Sequence, residues 1–140
     1  MSDALAAFGT FLKIGDGAGT EVFTTIAEVR DIKGPNITLN TADVTNHDSQ
    51  GWKEIIGTII DAGEVTFGIN FQPTEATHDD STGLLSDLLG RVKRNFQLVF
   101  PDTTTWTFTA LVTNFNPDEP VQNELTADVT LELTGSLGFA

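Results

Sequence analysis

The residues of this chain that could carry out nucleophilic chemistry are Ser81 and His78, which lie near several acidic side chains. A serine, a histidine and a carboxylate can form a relay in which the histidine removes the hydroxyl proton. The chain has no Gly-x-Ser-x-Gly motif, which would expose such a serine on a strained turn, and it has no cysteine. Such triples of residues arise by chance, so the sequence predicts no catalytic residues and no enzymatic activity.

Two further patterns are typical of ligand binding. Residues 15–19 (GDGAG) resemble a phosphate-binding loop, but residues 22–29 alternate as a strand does, whereas the dinucleotide motif needs a helix there. We therefore expect a hairpin turn. No Asp-x-Asp-x-Asp-Gly array is present, and His47 and His78 have no second histidine or cysteine at ligand spacing. The sequence predicts no cofactor, no metal site and two surface histidines.

Composition and charge narrow the class of protein. The 140 residues are enough for one domain with its own core, so we expect a single domain over residues 1–140. The net charge is −13 and no Lys or Arg follows Arg94, which disfavours affinity for nucleic acid. No apolar run is long enough to span a bilayer and residues 1–10 do not resemble a signal peptide, so we expect a soluble protein that is not exported.

Most of the chain has the period-two pattern of β-strands, which predicts a mainly β fold. In residues 123–134 the apolar side chains of Leu125, Ala127, Val129, Leu131 and Leu133 alternate with acids and threonines. Residues 8–14, 21–32, 64–71, 95–100 and 104–115 are further strands. The last two should form a hairpin through the turn at residues 101–103, and the prolines in residues 116–120 predict a connection.

Two segments depart from the strand pattern. Residues 81–94 carry leucines at helical spacing, with Asp80 or Ser81 as the N-cap, and Arg91, Lys93 and Arg94 at the end complement the helix dipole. Residues 36–63 read as a long loop with a polar, turn-rich centre. The apolar side chains of this loop predict that it docks on a partner, and they are Trp52, Ile55, Ile56, Ile59 and Ile60.

In four stretches and in their order along the sequence, the chain resembles the major tail tube proteins of long-tailed (siphovirus-type) bacteriophages and of related gene transfer agents. These stretches are GTFLKIGDGAGTEVFTTIAEVRDIKGP, DVTNHDSQGWKEIIGTIIDAGEVTFGINF, TGLLSDLLGRVKRNFQLVFPD and LTADVTLELTGSLGF. The resemblance implies an antiparallel β-sandwich or barrel with one flanking α-helix and a long loop, as in type VI secretion tube subunits. It also implies a virion location, assembly in the host cytoplasm, and hexameric rings that stack into a hollow tube.

The resemblance assigns a role to the apolar loop and to the polar face of the last strand. The loop at residues 36–63 becomes an inter-ring or inter-subunit contact, made by Trp52, Ile55, Ile56, Ile59 and Ile60. The polar face of the last strand becomes the wall of the lumen through which DNA passes without specific binding, and its residues are Glu124, Thr126, Asp128, Thr130 and Glu132. Implied partners are further copies of the chain and tape measure, tail tip and tail terminator proteins.

Other readings stay open at this point. An alternation of acids and threonines is also what the solvated face of any antiparallel sheet shows. A monomeric β-sandwich that binds carbohydrate through Trp52 or Trp106 would have the same composition, and a type VI secretion-like tube subunit would have the same fold.

Overall fold

The computed structural model describes residues 9–16, 20–80, 83–121 and 123–139. The strands are β1 (Phe11–Gly15), β2 (Phe23–Thr25), β3 (Val29–Lys33), β4 (Thr38–Asp43), β5 (Ile55–Asp61), β6 (Glu64–Asn70), β7 (Lys93–Val99), β8 (Thr105–Asp118) and β9 (Thr126–Phe139). Helix α1 spans Leu84–Gly90 and a 3-10 turn spans His47–Ser49. The fold is mainly β, as the sequence predicts.

Seven strands form one antiparallel sheet in the order β2-β1-β7-β8-β9-β6-β3. Its inner face carries the alternating apolar residues that the sequence singled out, because successive side chains of a strand point to opposite faces. Phe96 stacks against Phe108 with ring centroids 5.9 Å apart, and Val65, Phe67 and Leu131 are buried beside them. The predicted hairpin between β7 and β8 is confirmed, with Leu98 opposite Trp106.

The two ends of this sheet meet. β2 and β3 lie at opposite ends of the strand order, yet only residues 26–28 separate them in sequence. Four residue steps span at most about 14 Å, so the sheet must curl into a barrel-like shape. The backbone N–H of Ile26 donates to Leu12 O at one edge, and Asn70 N–H donates to Glu28 O at the other, each at 2.9 Å.

The prediction of one strand over residues 21–32 is therefore wrong, because residues 26–28 form this connector. Glu28 adopts a left-handed conformation (φ 58°) that interrupts the strand without a glycine. The first strand is also displaced from residues 8–14 to Phe11–Gly15, and Phe8 lies outside the described residues.

β8 and β9 are both longer than the sequence pattern predicts. β8 continues through Pro117, which faces Ala127, so the connection predicted at residues 116–120 is wrong in its position. β7 begins at Lys93, opposite Leu111, so beyond Leu111 one edge of β8 pairs with no other described strand, and proline is tolerated at such an edge. β9 begins at Thr126 rather than 123 and continues past residue 134, because Gly135 (φ 79°) lies in an irregularity after which pairing with β8 resumes.

The helix is shorter than the predicted 81–94. It ends at Gly90, and Arg91 in a left-handed conformation closes it with its backbone N–H. Lys93 and Arg94 belong to β7 and so do not lie in the last helical turn. Gly83 occupies the N-cap position and makes no side-chain cap, although Asp79 Oδ1 accepts its N–H; Ser81 lies outside the described residues. Leu84 is buried in the core.

Residues 36–63 are not a loop in the structure. β4 and β5 pair with each other as a separate two-stranded sheet, joined by the 3-10 turn. We call Thr38–Asp61 the arm. It extends the β3–β6 pair, since β3 leads into β4 and β5 leads into β6.

Candidate assembly surfaces

The arm exposes apolar side chains on both faces. All of β5 is exposed, with Ile59 at 70% and Ile60 at 69%. Ile60 faces Leu39 and Ile56 faces Ala42, and the register shifts between Leu39 and Thr41. Because of that shift, Ile55 and Ile60 share the face that carries Leu39, and Ile56 lies on the opposite face. An arm that is apolar on both sides gains from contacts on both sides.

The tip of the arm is ordered by its own hydrogen bonds. Asn46 caps the 3-10 turn and accepts from Asp48 N–H, while Ser49 Oγ accepts from Asn46 N–H. Thr45 and Glu54 bond each other across the tip, at 2.8 and 3.3 Å. Trp52 lies in this tip and is 77% exposed. The tip thus presents a large aromatic surface that the described part of the chain leaves uncovered.

Two glycines form the joint between the arm and the barrel. Gly34 (φ 108°) lies so close to Glu64 O that a Cβ would clash, and Gly63 (φ 75°) lies equally close to Asn36 O. Both positions therefore require glycine for conformation and for space. Gly63 O also accepts the N–H of Leu133 on β9. The arm is thus anchored to the centre of the sheet at its base.

The outer face of the sheet is acidic where β8, β9 and β6 lie side by side. Of the residues predicted for the lumen wall, Thr126, Asp128, Thr130 and Glu132 lie on the outer side of β9, and Asp128 and Glu132 are exposed. Glu124 is exposed but precedes the strand. None of these three strands contains Lys or Arg.

The strand register adds two acids that the sequence did not single out. Glu64 on β6 faces Glu132, and Asp118 on β8 faces Thr126. Like charges opposite each other on paired strands destabilise a sheet. The acid pair therefore lowers the stability of this face, and only the register, not the local pattern, could identify it.

Asp87 on α1 and Arg94 on β7 form an ion pair, in which Asp87 is buried and Arg94 is partly exposed. Arg94 Nη2 lies 2.8 Å from Asp87 Oδ1, and Arg94 Nη1 donates to Gly15 O. Asp87 is 2% exposed, and its Oδ2 has no hydrogen-bond partner. Burial raises the pKa of Asp87 from 3.8 to about 6, although the Arg94 guanidinium acts in the opposite direction. The pair links α1 to β7 and to the end of β1.

His78 is fully buried, so the prediction of a surface position is wrong for it, whereas His47 is exposed. The Nδ1 atom of His78 accepts the N–H of Gln72, so its Nε2 carries the proton and donates to Ala27 O at 2.6 Å. Thr77 Oγ1 accepts the N–H of Ala27. Both backbone groups of Ala27 are thus satisfied by the segment before α1, which holds the connector of residues 26–28 in place.

The described residues contain no group of three or more His, Cys, Asp or Glu side chains that could hold a metal ion. Within the same ranges, no helix has the length and apolar character needed to cross a membrane.

Comparison with known proteins identifies the family of this chain. A family model described as "Lambda phage tail tube protein, TTP" matches residues 14–140. No curated protein matches the sequence. Among solved structures, "Tail of empty GTA particle computed with helical refinement, C6 symmetry" has a TM-score of 0.80 at 22% identity, covering 98% of this chain and 99% of that chain.

Two more distant structures share the fold. The SPP1 tail tube has a TM-score of 0.70 at 7% identity, over 94% of this chain and 77% of that one. The sheath-tube complex of an extracellular contractile injection system has a TM-score of 0.69 at 12% identity, over 100% and 93%. The family match covers nearly the whole chain, and the chain therefore belongs to the lambda phage tail tube protein family.

Proposed function

We propose that this chain is the structural subunit of a hollow virion tail: six copies form a ring, and rings stack into a tube through which DNA passes. The observation that carries the proposal is the match over 98% of the chain to a tail of C6 symmetry, together with membership of the tail tube family. A ring closed by symmetry also gives a partner to the outer edges of β2 and β3, which no other described strand pairs with.

The acidic outer face of β8, β9 and β6 forms the wall of the lumen. Three adjacent strands without Lys or Arg offer no cation to the phosphates of passing DNA, so they release no counterions and create no affinity. Asp128 and Glu132 carry the same sign of charge as the phosphates of DNA and repel them, and Thr130 between them is neutral. The cost of opposing Glu64 and Glu132 is consistent with a face selected for its charge rather than for stability.

The arm joins subunits of successive rings, through Trp52, Ile55, Ile56, Ile59 and Ile60. Its exposed apolar surface on both faces is what an element held between neighbours requires. The glycine joint sets the direction in which the arm leaves the barrel.

The chain acts without catalysis in this role. Its remaining partners are the proteins that fix the length of the tube and close its ends, namely the tape measure, tail tip and terminator. Solved structures titled as a sheath/tube terminator and a tube terminating cap share this fold.

Negative-stain electron microscopy of the purified full chain tests the proposal, with rings or hollow tubes as the expected particles. Trp52→Ala should abolish or shorten tubes and leave the circular dichroism of the monomer unchanged, because Trp52 is 77% exposed. Leu89→Ala, which removes an exposed side chain of α1, is the matched control and should form normal tubes. A chain that stays monomeric under all conditions, or unimpaired tubes of the Trp52 variant, would contradict the respective assignment.

The lumen assignment is tested with Asp128→Cys, which gives the only thiol because the chain has no cysteine. A small maleimide should label it in tubes, whereas a maleimide coupled to a folded protein too large for the bore should label only dispersed subunits. Labelling of tubes by both reagents would place Asp128 outside, and labelling by neither would bury it between subunits.

A further inference from the structure

The connector of residues 26–28 joins the two strands whose outer edges close the proposed ring. β2 ends at Thr25 and β3 begins at Val29, and they are the two terminal strands of the sheet. In a closed ring, one of these edges contacts the preceding copy and the other contacts the next copy. The connector is therefore the shortest path along the chain between the two ring interfaces of a subunit.

The two ends of the connector are bonded to the two halves of the sheet. The N–H of Ile26 donates to Leu12 O on β1, and Glu28 O accepts the N–H of Asn70 on β6, each at 2.9 Å. The side chain of Asn70 also donates to Glu28 Oε2 at 3.4 Å. The connector thus bridges the strands that lie next to the two edge strands.

The middle of the connector is held by a segment outside the sheet. Ala27 N–H donates to Thr77 Oγ1 at 3.1 Å, and Ala27 O accepts from His78 Nε2 at 2.6 Å. Thr77 is 7% exposed and His78 is 0% exposed, so water has little access to these two bonds. We call the side chains of Thr77 and His78 the clasp.

Packing alone does not fix the connector. Ala27 and Glu28 line an open groove to which residues of β1 and β3 also contribute. Glu28 has φ 58°, a conformation that residues other than glycine adopt at a cost in free energy. The conformation of the connector therefore depends on its hydrogen bonds, of which the clasp makes the two in the middle.

The clasp itself has a rigid support. Residues 72–79 form successive hydrogen-bonded turns, and the N–H of Leu84 at the start of α1 donates to Thr77 O at 3.0 Å. A Cβ on Gly83 would lie 2.5 Å from backbone atoms of Thr77 and His78, so the residue before α1 is in direct contact with the clasp. The clasp thus ties the connector to the helix.

Ring closure makes a strict demand on the angle between the two edges. A ring of six copies turns by about 60° from copy to copy and a ring of seven by about 51°, so a deviation of roughly 9° changes the number of copies. The twist between neighbouring strands varies over roughly 10–35°, and such variation accumulates across a seven-stranded sheet. A short brace between the first and last strands removes this freedom.

We infer that Thr77 and His78 are positioning residues, which hold the connector so that the edges of β2 and β3 keep the angle that closes a ring of one size. The inference rests on the proposed function and deepens it by naming side chains, away from the ring interfaces, that set the number of copies. A purely structural role would affect the stability of the subunit and leave the ring size unchanged.

Thr77→Val tests the inference, because valine keeps the shape of the side chain and removes the acceptor for Ala27 N–H. The matched control is Thr77→Ser, which keeps the hydroxyl. A control for stability is Val112→Ala, which opens a cavity at the central strand β8, three strand positions from each edge strand. Ala27→Gly adds backbone freedom to the connector and decides in the same way if Thr77→Val does not fold.

Each variant is first shown to be folded by circular dichroism and is then assembled, and the copies per ring are counted in end-on views by negative-stain electron microscopy. The unmodified chain, Thr77→Ser and Val112→Ala should each give one ring size. Thr77→Val, or Ala27→Gly in its place, should give several-fold more open arcs and rings of other sizes.

A single ring size for the Thr77→Val chain would overturn the inference and leave the proposed function standing. An equal spread of ring sizes for Thr77→Ser or Val112→Ala would overturn it as well, because the effect would then not depend on the hydroxyl of the clasp. Failure of the unmodified chain to form rings would refute the proposed function, and the inference with it.

Discussion

Replacing Asp87 of α1 with asparagine isolates the cost of burying the charge of its carboxylate. Asparagine keeps the shape of the side chain and an oxygen that can accept from Arg94 Nη2, but it carries no charge at any pH. The pKa of Asp87 is raised from 3.8 to about 6 by burial, and its Oδ2 has no hydrogen-bond partner. Folding therefore makes the ionised form of Asp87 less favourable than it is in the unfolded chain.

The sign and size of the effect follow from linkage. Because the folded pKa is raised, the stabilising contribution of Asp87 is fully present below its unfolded pKa of 3.8 and is lost as the pH rises through about 6. The difference between these values corresponds to about 3 kcal/mol, at roughly 1.4 kcal/mol for each pH unit. The Asp87→Asn variant does not lose this contribution. Its free energy of unfolding, relative to that of the unmodified chain, should therefore rise by about 3 kcal/mol as the pH increases from 3.8 through about 6.

Urea unfolding followed by tryptophan fluorescence, at protein concentrations too low for assembly, measures both chains from about pH 4 to about pH 8. The two chains differ only at residue 87, so the pH dependence of the difference in their free energies of unfolding reports Asp87. The reasoning is refuted if the variant loses stability relative to the unmodified chain as the pH rises, because attraction to Arg94 would then outweigh the cost of burial.

Two further substitutions have matched controls. His78→Ala should lower the free energy of unfolding by about 2–4 kcal/mol, because it leaves Ala27 O and Gln72 N–H without partners and opens a cavity. His47→Ala, at an exposed site, should change it by less than about 0.5 kcal/mol in the same urea titration. Equal effects of the two substitutions would contradict the buried position of His78. Gly63→Ala should disturb the base of the arm, because its Cβ meets Asn36 O, and should reduce the yield of tubes measured by sedimentation. Gly51→Ala has a similar positive φ but open space around it, so it should cost only the conformational strain. Equal yields of tubes from the two variants would show that the joint tolerates a side chain.

Local alternation was enough to predict the strands that form the core, because one face of β6, β8 and β9 is buried and the other is not. It could not predict the connector, since Glu28 takes its left-handed conformation without a glycine. The burial of His78 depends on Ala27, which lies 51 residues earlier, and no local pattern reports such a contact.

The candidate surfaces were only partly predictable. The sequence predicts the isoleucines of the arm as a docking surface, and the structure exposes them. Their strand pairing was missed because β5 is exposed on both faces and so lacks the alternation of a half-buried strand. An acid and threonine face looks the same on a lumen wall as on any wet sheet. Its extension to Glu64 and Asp118 emerged only from the register of β9 with its two neighbours.

The position of β9 has a consequence for synthesis on the ribosome. β9 follows all the other described strands in the sequence, yet it lies between β8 and β6 in the sheet and joins β2-β1-β7-β8 to β6-β3. A nascent chain that lacks β9 holds two separate half-sheets, and the base of the arm lacks its bond from Leu133 to Gly63. The surfaces proposed for assembly are therefore complete only after β9 has been inserted between β8 and β6, so the proposed assembly has to follow the synthesis of β9.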